Sequence, residues 1–164
     1  MKATCTGPAL LAAALLSGCG AAEKTIGLGQ TIHHDDFEYA VQRVVQTDHL
    51  GSKTPNGIFY LVTFRVENDA KRVDHVWGND IAYLIDEQGH RFENDRDAQQ
   101  RLNDLAPFGY QDRYVTGAGE VATTQLVFDL PKAVKEPYLK VRGWTLMGDV
   151  FDGGQFRHTK VKLF

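Results

Sequence analysis

From Gln30 onward the apolar residues recur with a period of two, and that alternation constrains the fold more than any other feature of the chain. Phe37, Tyr39 and Val41 alternate with Glu38, Ala40 and Gln42, and Val44-Val45 closes the run. Side chains of a strand point alternately to opposite faces, whereas a helix needs its apolar residues three and four apart. Residues 58–67, Ile-Phe-Tyr-Leu-Val-Thr-Phe-Arg-Val-Glu, are the densest β-branched and aromatic run. The run is apolar on both faces at its start, as a central strand covered on both sides would be. Gly51, Pro55 and Asn56-Gly57 make residues 49–57 a loop, because Gly and Asn tolerate positive φ and proline fixes it.

The same signals repeat along the chain. Asn68-Asp69-Ala70-Lys71-Arg72 is a turn, residues 81–85 a strand, and Asp86-Glu87-Gln88-Gly89 a hairpin turn into His90-Arg91-Phe92. Residues 95–105 are the helical candidate, with Ala98, Leu102 and Leu105 on one stripe and Asn94 or Asp95 placed to cap it. Gly117-Ala118-Gly119-Glu120 leads into a strand over 121–130, which Pro131 ends because proline has no N–H for a ladder. Residues 138–144 and 155–164 complete the set. Many short strands with one short helix predict an all-β class, an antiparallel β-sandwich of about 100 to 150 residues.

The first residues read as an address. Lys2 precedes an apolar stretch at residues 8–16 that is shorter than the roughly 20 residues a spanning helix needs, which makes residues 1–18 a signal peptide. The segment ends in Leu16-Ser17-Gly18-Cys19, which resembles the lipobox of bacterial lipoproteins. That resemblance implies a diacylglycerol on the Cys19 thiol, cleavage that leaves Cys19 as the first residue, and a membrane held through acyl chains. Several such chains exceed what stable anchoring requires. Gly20 stands where an aspartate would resemble an inner-membrane retention signal, so the outer membrane is favoured. Residues 19–29, small and nearly uncharged, read as a flexible lipidated tether spanning roughly 17 Å on average. Residues 30–164 read as the folded domain.

Cysteine arithmetic follows. Cys5 leaves with the signal and Cys19 is acylated, so the mature domain has no disulfide and must rely on its core. With 43% hydrophobic and 24% charged residues, and a formal charge of −3, the chain is neither a polytopic membrane protein nor a histone-like nucleic-acid binder. Residues 131–164 carry seven Lys or Arg against three acidic residues, and the remainder of the mature chain is acidic. Opposite charges facing across strands are the expected use of that asymmetry, ahead of a basic end resting on lipid or glycan.

Three groups of residues carry a further resemblance. They are Tyr60-Leu61-Val62-Thr63-Phe64-Arg65-Val66-Glu67-Asn68, then Leu84-Ile85-Asp86-Glu87-Gln88-Gly89-His90-Arg91-Phe92, then Gly119-Glu120 with Leu126-Val127-Phe128-Asp129-Leu130-Pro131. Together they resemble a bacterial family of exported domains of unknown function, related to a secreted immunoprotective antigen of mycobacteria. The resemblance covers residues 27–145 and implies an immunoglobulin-like sandwich. It brings no catalytic residue, and residues 147–164 fall outside it.

Chemistry-bearing residues are sparse. After the signal the one serine is Ser52, in a turn, and no G-x-S-x-G elbow occurs, so a nucleophilic enzyme is not expected. His33-His34-Asp35-Asp36 is the most ligand-like stretch, yet on a strand His33 and Asp35 share a face that His34 does not. A metal site would need His33 and Asp35 joined by distant histidines, and is kept as the alternative to having no metal and no cofactor. Asp95 and Asp97 lack the order of a calcium loop and read as helix-capping residues. Gly117, Gly119, Gly153 and Gly154 match no phosphate-loop pattern and read as turn glycines. Trp77 and Trp144 read as core residues ahead of a ligand groove. The expectation is a lipid-anchored, non-enzymatic envelope module that binds a protein or glycan and no nucleic acid, with metal handling as the alternative.

Overall fold

The computed structural model describes residues 22–102, 108–143 and 156–164. Cys19, Leu105, Trp144, Gly153 and Gly154 lie outside them. The strands are β1 (Lys24–Ile26), β2 (Thr31–His34), β3 (Phe37–Thr47), β4 (Ile58–Asn68), β5 (His75–Trp77), β6 (Ala82–Ile85), β7 (Arg91–Phe92), β8 (Tyr114–Thr116), β9 (Val121–Leu130), β10 (Tyr138–Val141) and β11 (Thr159–Lys162). One sheet has the order β1-β11-β10-β6-β7, a second has β2-β3-β4-β9, and β5 and β8 form a small ribbon. The expected β-sandwich is present.

The long run at 58–67 is β4, the interior strand between β3 and β9. Tyr60, Val62, Phe64 and Val66 bury their side chains against Leu84, Leu139 and Val161 of the other sheet. Phe59, on the opposite face, is fully buried with Ala98, Leu102 and Val127. Both faces are covered at the start of the strand, as the doubly apolar pattern required; each such side chain contributes about 1.5–3 kcal/mol. In β3, Val41 pairs with Phe64 and Arg43 with Thr63, so Gln42 is bulged out of register. The bulge shifts parity by one and returns Val44 to the core side, opposite Val62.

The helix is shorter than the sequence pattern implied. α1 spans Arg96–Gln100, Asp95 caps it by accepting from the Ala98 N–H, and Leu102 follows in a turn. Gln99 is fully buried and bridges to the outer edge of β9. Its Nε2 donates to the Gln125 carbonyl at 2.7 Å, and its Oε1 accepts from the Val127 N–H at 2.9 Å. That edge would otherwise offer unpaired groups to another chain.

Two expectations about the chain ends change. Residues 24–26, read from the sequence as part of a flexible tether, are β1, which pairs parallel with β11. Local composition is weak evidence there, because the partner strand lies 135 residues away, Lys24 against Thr159. The last strand has a definite place, between β1 and β10. Two lysines of the basic C-terminal strands meet an acidic residue from the other end of the chain, Lys160 at 2.6 Å and Lys140 at 3.7 Å from Glu23, while Lys162 lies 3.2 Å from Glu136 of the same segment. The hydrogen bond from Lys160 holds the Glu23 carboxyl below its ordinary range.

The pairings define two ends. Lys24 with Thr159, Val141 with Ala82, Phe37 with both His34 and Asn68, and Glu67 with Val121 gather at the end where the chain enters, called here the near end. The β3–β4 loop, the Asp86 hairpin and the β9–β10 connection lie at the far end.

Candidate functional site at the near end

His34 is the last residue of β2 and shares the inward face of Ile32. Its ring is buried and stacks on Phe156 at 4.2 Å. Gly143 permits that approach, since a Cβ at this position would lie 2.4 Å from the Phe156 ring. Beside it, Phe37 stacks on His75 at 4.0 Å, and the Tyr39 hydroxyl meets His75 Nε2 at 2.9 Å. Trp77 stacks on its cross-strand partner Tyr114 at 4.2 Å and donates its indole N–H to Thr116 at 2.9 Å.

These side chains line two adjoining hollows of about 140 and 290 Å³, which share Tyr39, His75 and Arg142. Arg142 follows β10; its backbone N–H donates to the Ile81 carbonyl at 2.7 Å and its guanidinium pairs with Glu93. Among the described residues the buried Arg142 Nε–H has no acceptor.

Burial, with His34 nearby, lowers the His75 pKa to about 4, so the ring is neutral at pH 7. Burial and the Asp35 carboxylate push the Tyr39 phenol well above its ordinary range. The phenol therefore keeps its proton, and it shares one hydrogen bond with the neutral imidazole at Nε2. The groove offers aromatic surface and hydrogen-bond donors, and among the described residues no Ser, Cys or Thr lines either hollow.

The sequence candidates fall elsewhere. His33 is exposed on the opposite face of β2 and pairs with Glu38 at 2.9 Å, while Asp35 occupies the β2–β3 turn at φ 52°. Among the described residues no three His, Cys, Asp or Glu side chains form a group able to hold a metal, so distant histidines do not join His33 and Asp35. Asp95 caps α1 and binds Lys53 at 3.1 Å; Asp97 lies 3.9 Å from the same lysine. Gly119 adopts φ 76° in the turn before β9. Trp77 is both a core residue and a groove wall.

Sequence reasoning missed His34, His75 and Arg142. A signal existed for His34, because Ile32 two residues earlier marks the inward face of the strand. None existed for Arg142, which reaches the groove only through the pairing of β10 with β6.

A family model described as a domain of unknown function (DUF4352) matches residues 26–149. No curated protein matches the chain. Several crystal structures share the fold. The yjhA protein of Bacillus subtilis has a TM-score of 0.56 at 12% identity, covering 84% of this chain and 98% of its own. The secreted protein MPT63 of Mycobacterium tuberculosis has a TM-score of 0.53 at 13% identity, covering 75% and 92%. An uncharacterized beta-sandwich protein of Clostridium difficile has a TM-score of 0.51 at 13% identity, covering 87% and 95%.

Proposed function

The chain belongs to the DUF4352 family of domains of unknown function, and from that premise we propose that it is an exported, lipid-anchored module of a bacterial cell envelope that works by binding rather than catalysis. The observation that carries this reading is the position of Leu16-Ser17-Gly18-Cys19 directly ahead of a folded domain whose first strand begins at Lys24. Acyl chains on Cys19 hold the domain on the extracytoplasmic side of its membrane, the outer membrane favoured by Gly20. Likeness in fold to a secreted mycobacterial protein supports export. No helix among the described residues is long and apolar enough to cross a membrane.

Binding is supported by the character of the groove: neutral His75 engaged by Tyr39, and aromatic walls. The far-end loops offer the surface for an envelope protein or glycan.

Intact-mass analysis of protein extracted from its own membrane tests the anchor. A mature N-terminus at Cys19 carrying acyl chains is the expected result, and an unmodified cysteine overturns it. Crosslinking of the same protein tests the binding role. One abundant partner, lost when Cys19→Ala releases the domain, supports it; no enriched partner with turnover of an envelope substrate overturns it.

A further inference from the structure

The structure shortens the distance between the anchor and the fold. Five peptide steps separate Cys19 from Lys24, the first residue of β1, so the chain reaches at most about 17 Å. Lys24 lies at the near end, beside Thr159 and the start of the groove. The strands of the second sheet extend away from that end, and β3, at 11 residues, places the far-end loops roughly 35 Å further on.

Apolar side chains gather at the same end. Val73, Val76, Val115 and Val121 are 61%, 45%, 52% and 51% exposed. Val76 and Val115 are cross-strand partners in the β5–β8 ribbon. Asn68 brings Val73 to the ribbon, donating to the Val73 and Thr116 carbonyls at 2.7 and 2.9 Å. It also places Val121 there, since the Asn68 N–H donates to the Glu120 carbonyl at 3.0 Å. Val73 and Val76 form the outer lip of the larger hollow, Asp74 lies between them, and Arg142, whose Nε–H has no acceptor among the described residues, lines its wall. Lys71 and Arg72 of the adjoining loop are outnumbered by Asp36, Asp69, Asp74 and Glu120 around it, so the surface offers no positive patch for anionic lipid.

We propose that the near end of the sandwich rests on the phospholipid bilayer that holds Cys19. Val73, Val76, Val115 and Val121 enter the boundary between headgroups and acyl chains, and the groove takes part of a lipid, whose phosphate or ester oxygens give the Arg142 Nε–H its acceptor. The proposal rests on the anchoring of Cys19, and it turns the far-end loops outward. Because the contact is apolar, it requires no anionic lipid and withstands salt.

The test uses the acylated full-length protein in phosphatidylcholine vesicles carrying nitroxide quenchers on the lipid. Once Cys19 is acylated the mature chain has no other cysteine, so Val76→Cys, Val115→Cys and, at the far end, Gln88→Cys each take a single fluorophore. All three positions are exposed, and the labelled proteins keep the wild-type circular dichroism and melting curve. Quenching several-fold stronger at 76 and 115 than at 88, unchanged by high salt or by added phosphatidylglycerol, is expected. Acylated protein with equal or weaker quenching at 76 and 115 overturns this inference and leaves the anchor standing. Native protein without acyl chains overturns the anchor, and this inference with it.

Discussion

The two ends of the sandwich solve the same problem differently. At the far end, turns are closed by carboxylates. Asp129 accepts from the Asn56 N–H at 2.7 Å, the Asn56 side chain at 3.0 Å and the Gly57 N–H at 3.0 Å. Asp86 accepts from the Gln88 N–H at 2.9 Å and from the His90 N–H and Nδ1 at 2.8 Å each. At the near end a single buried amide, Asn68, fastens three segments beside two hollows, and two buried donors, Arg142 Nε and Asn79 Nδ2, have no partner among the described residues. Buried polar groups are nearly always satisfied, so unpaired donors concentrated beside a hollow and an apolar rim mark a surface shaped for contact. Hollows of about 260 and 250 Å³ open at the far end too, lined by charged side chains such as Glu87, Lys132 and Lys135, so the ends differ in what lines their hollows rather than in having them.

The largest expected effect breaks the far end. A Cβ on Gly57 would stand 1.9 Å from the Leu130 carbonyl oxygen, a backbone atom with nowhere to move cheaply. Gly57→Ala should destabilise the domain by about 3 kcal/mol or more in urea unfolding. Asn68→Ala comes next: it strips the Val73 and Thr116 carbonyls and the Ala70 N–H of their partner in a fully buried site. A loss of about 2–3 kcal/mol is expected. Amide hydrogen exchange should show faster exchange confined to residues 69–77 and 114–121, with the Asp86 hairpin unchanged. Tyr39→Phe removes one hydrogen bond to His75 and should cost about 1 kcal/mol.

Acidity separates the ends by where along the pH axis each weakens. The folded His75 pKa, about 4, lies below its ordinary value of 6.5, so between these limits the unfolded chain binds a proton that the folded chain does not. Stability from this site is full above pH 6.5 and falls as the pH drops toward 4. Burial opposes ionisation of Asp86, but the hydrogen bonds from His90 outweigh it and hold the carboxyl below its ordinary 3.8. Its contribution is present above that value and is lost below it. Thermal melts across pH should show His75→Phe flattening the upper window alone and Asp86→Asn the lower window alone. Removal of both slopes by either variant would break the comparison.

Much of this was legible beforehand. Period-two alternation located β3, a dense β-branched and aromatic run located β4, Pro131 marked the end of β9, and Asp86 through Gly89 announced the hairpin before Arg91, because these features are written within a few residues and obey local sterics. Charge asymmetry foretold the pairing of the C-terminal lysines with acidic partners, though not that Glu23 would serve two of them. The candidate site was read less well. Attention to His33 and Asp35 followed ligand chemistry, whereas the side chain that reaches the groove is His34, on the face that Ile32 had already marked as inward.

By itself the sequence determined the strand pattern and the loops, since each depends on neighbours along the chain. Only the tertiary structure decided that Lys24–Ile26 joins a sheet beside Thr159–Lys162, and that His34, His75 and Arg142 meet in one groove. Those contacts join residues far apart in the chain, and their closure is fixed by how two sheets bury a shared core rather than by any local preference.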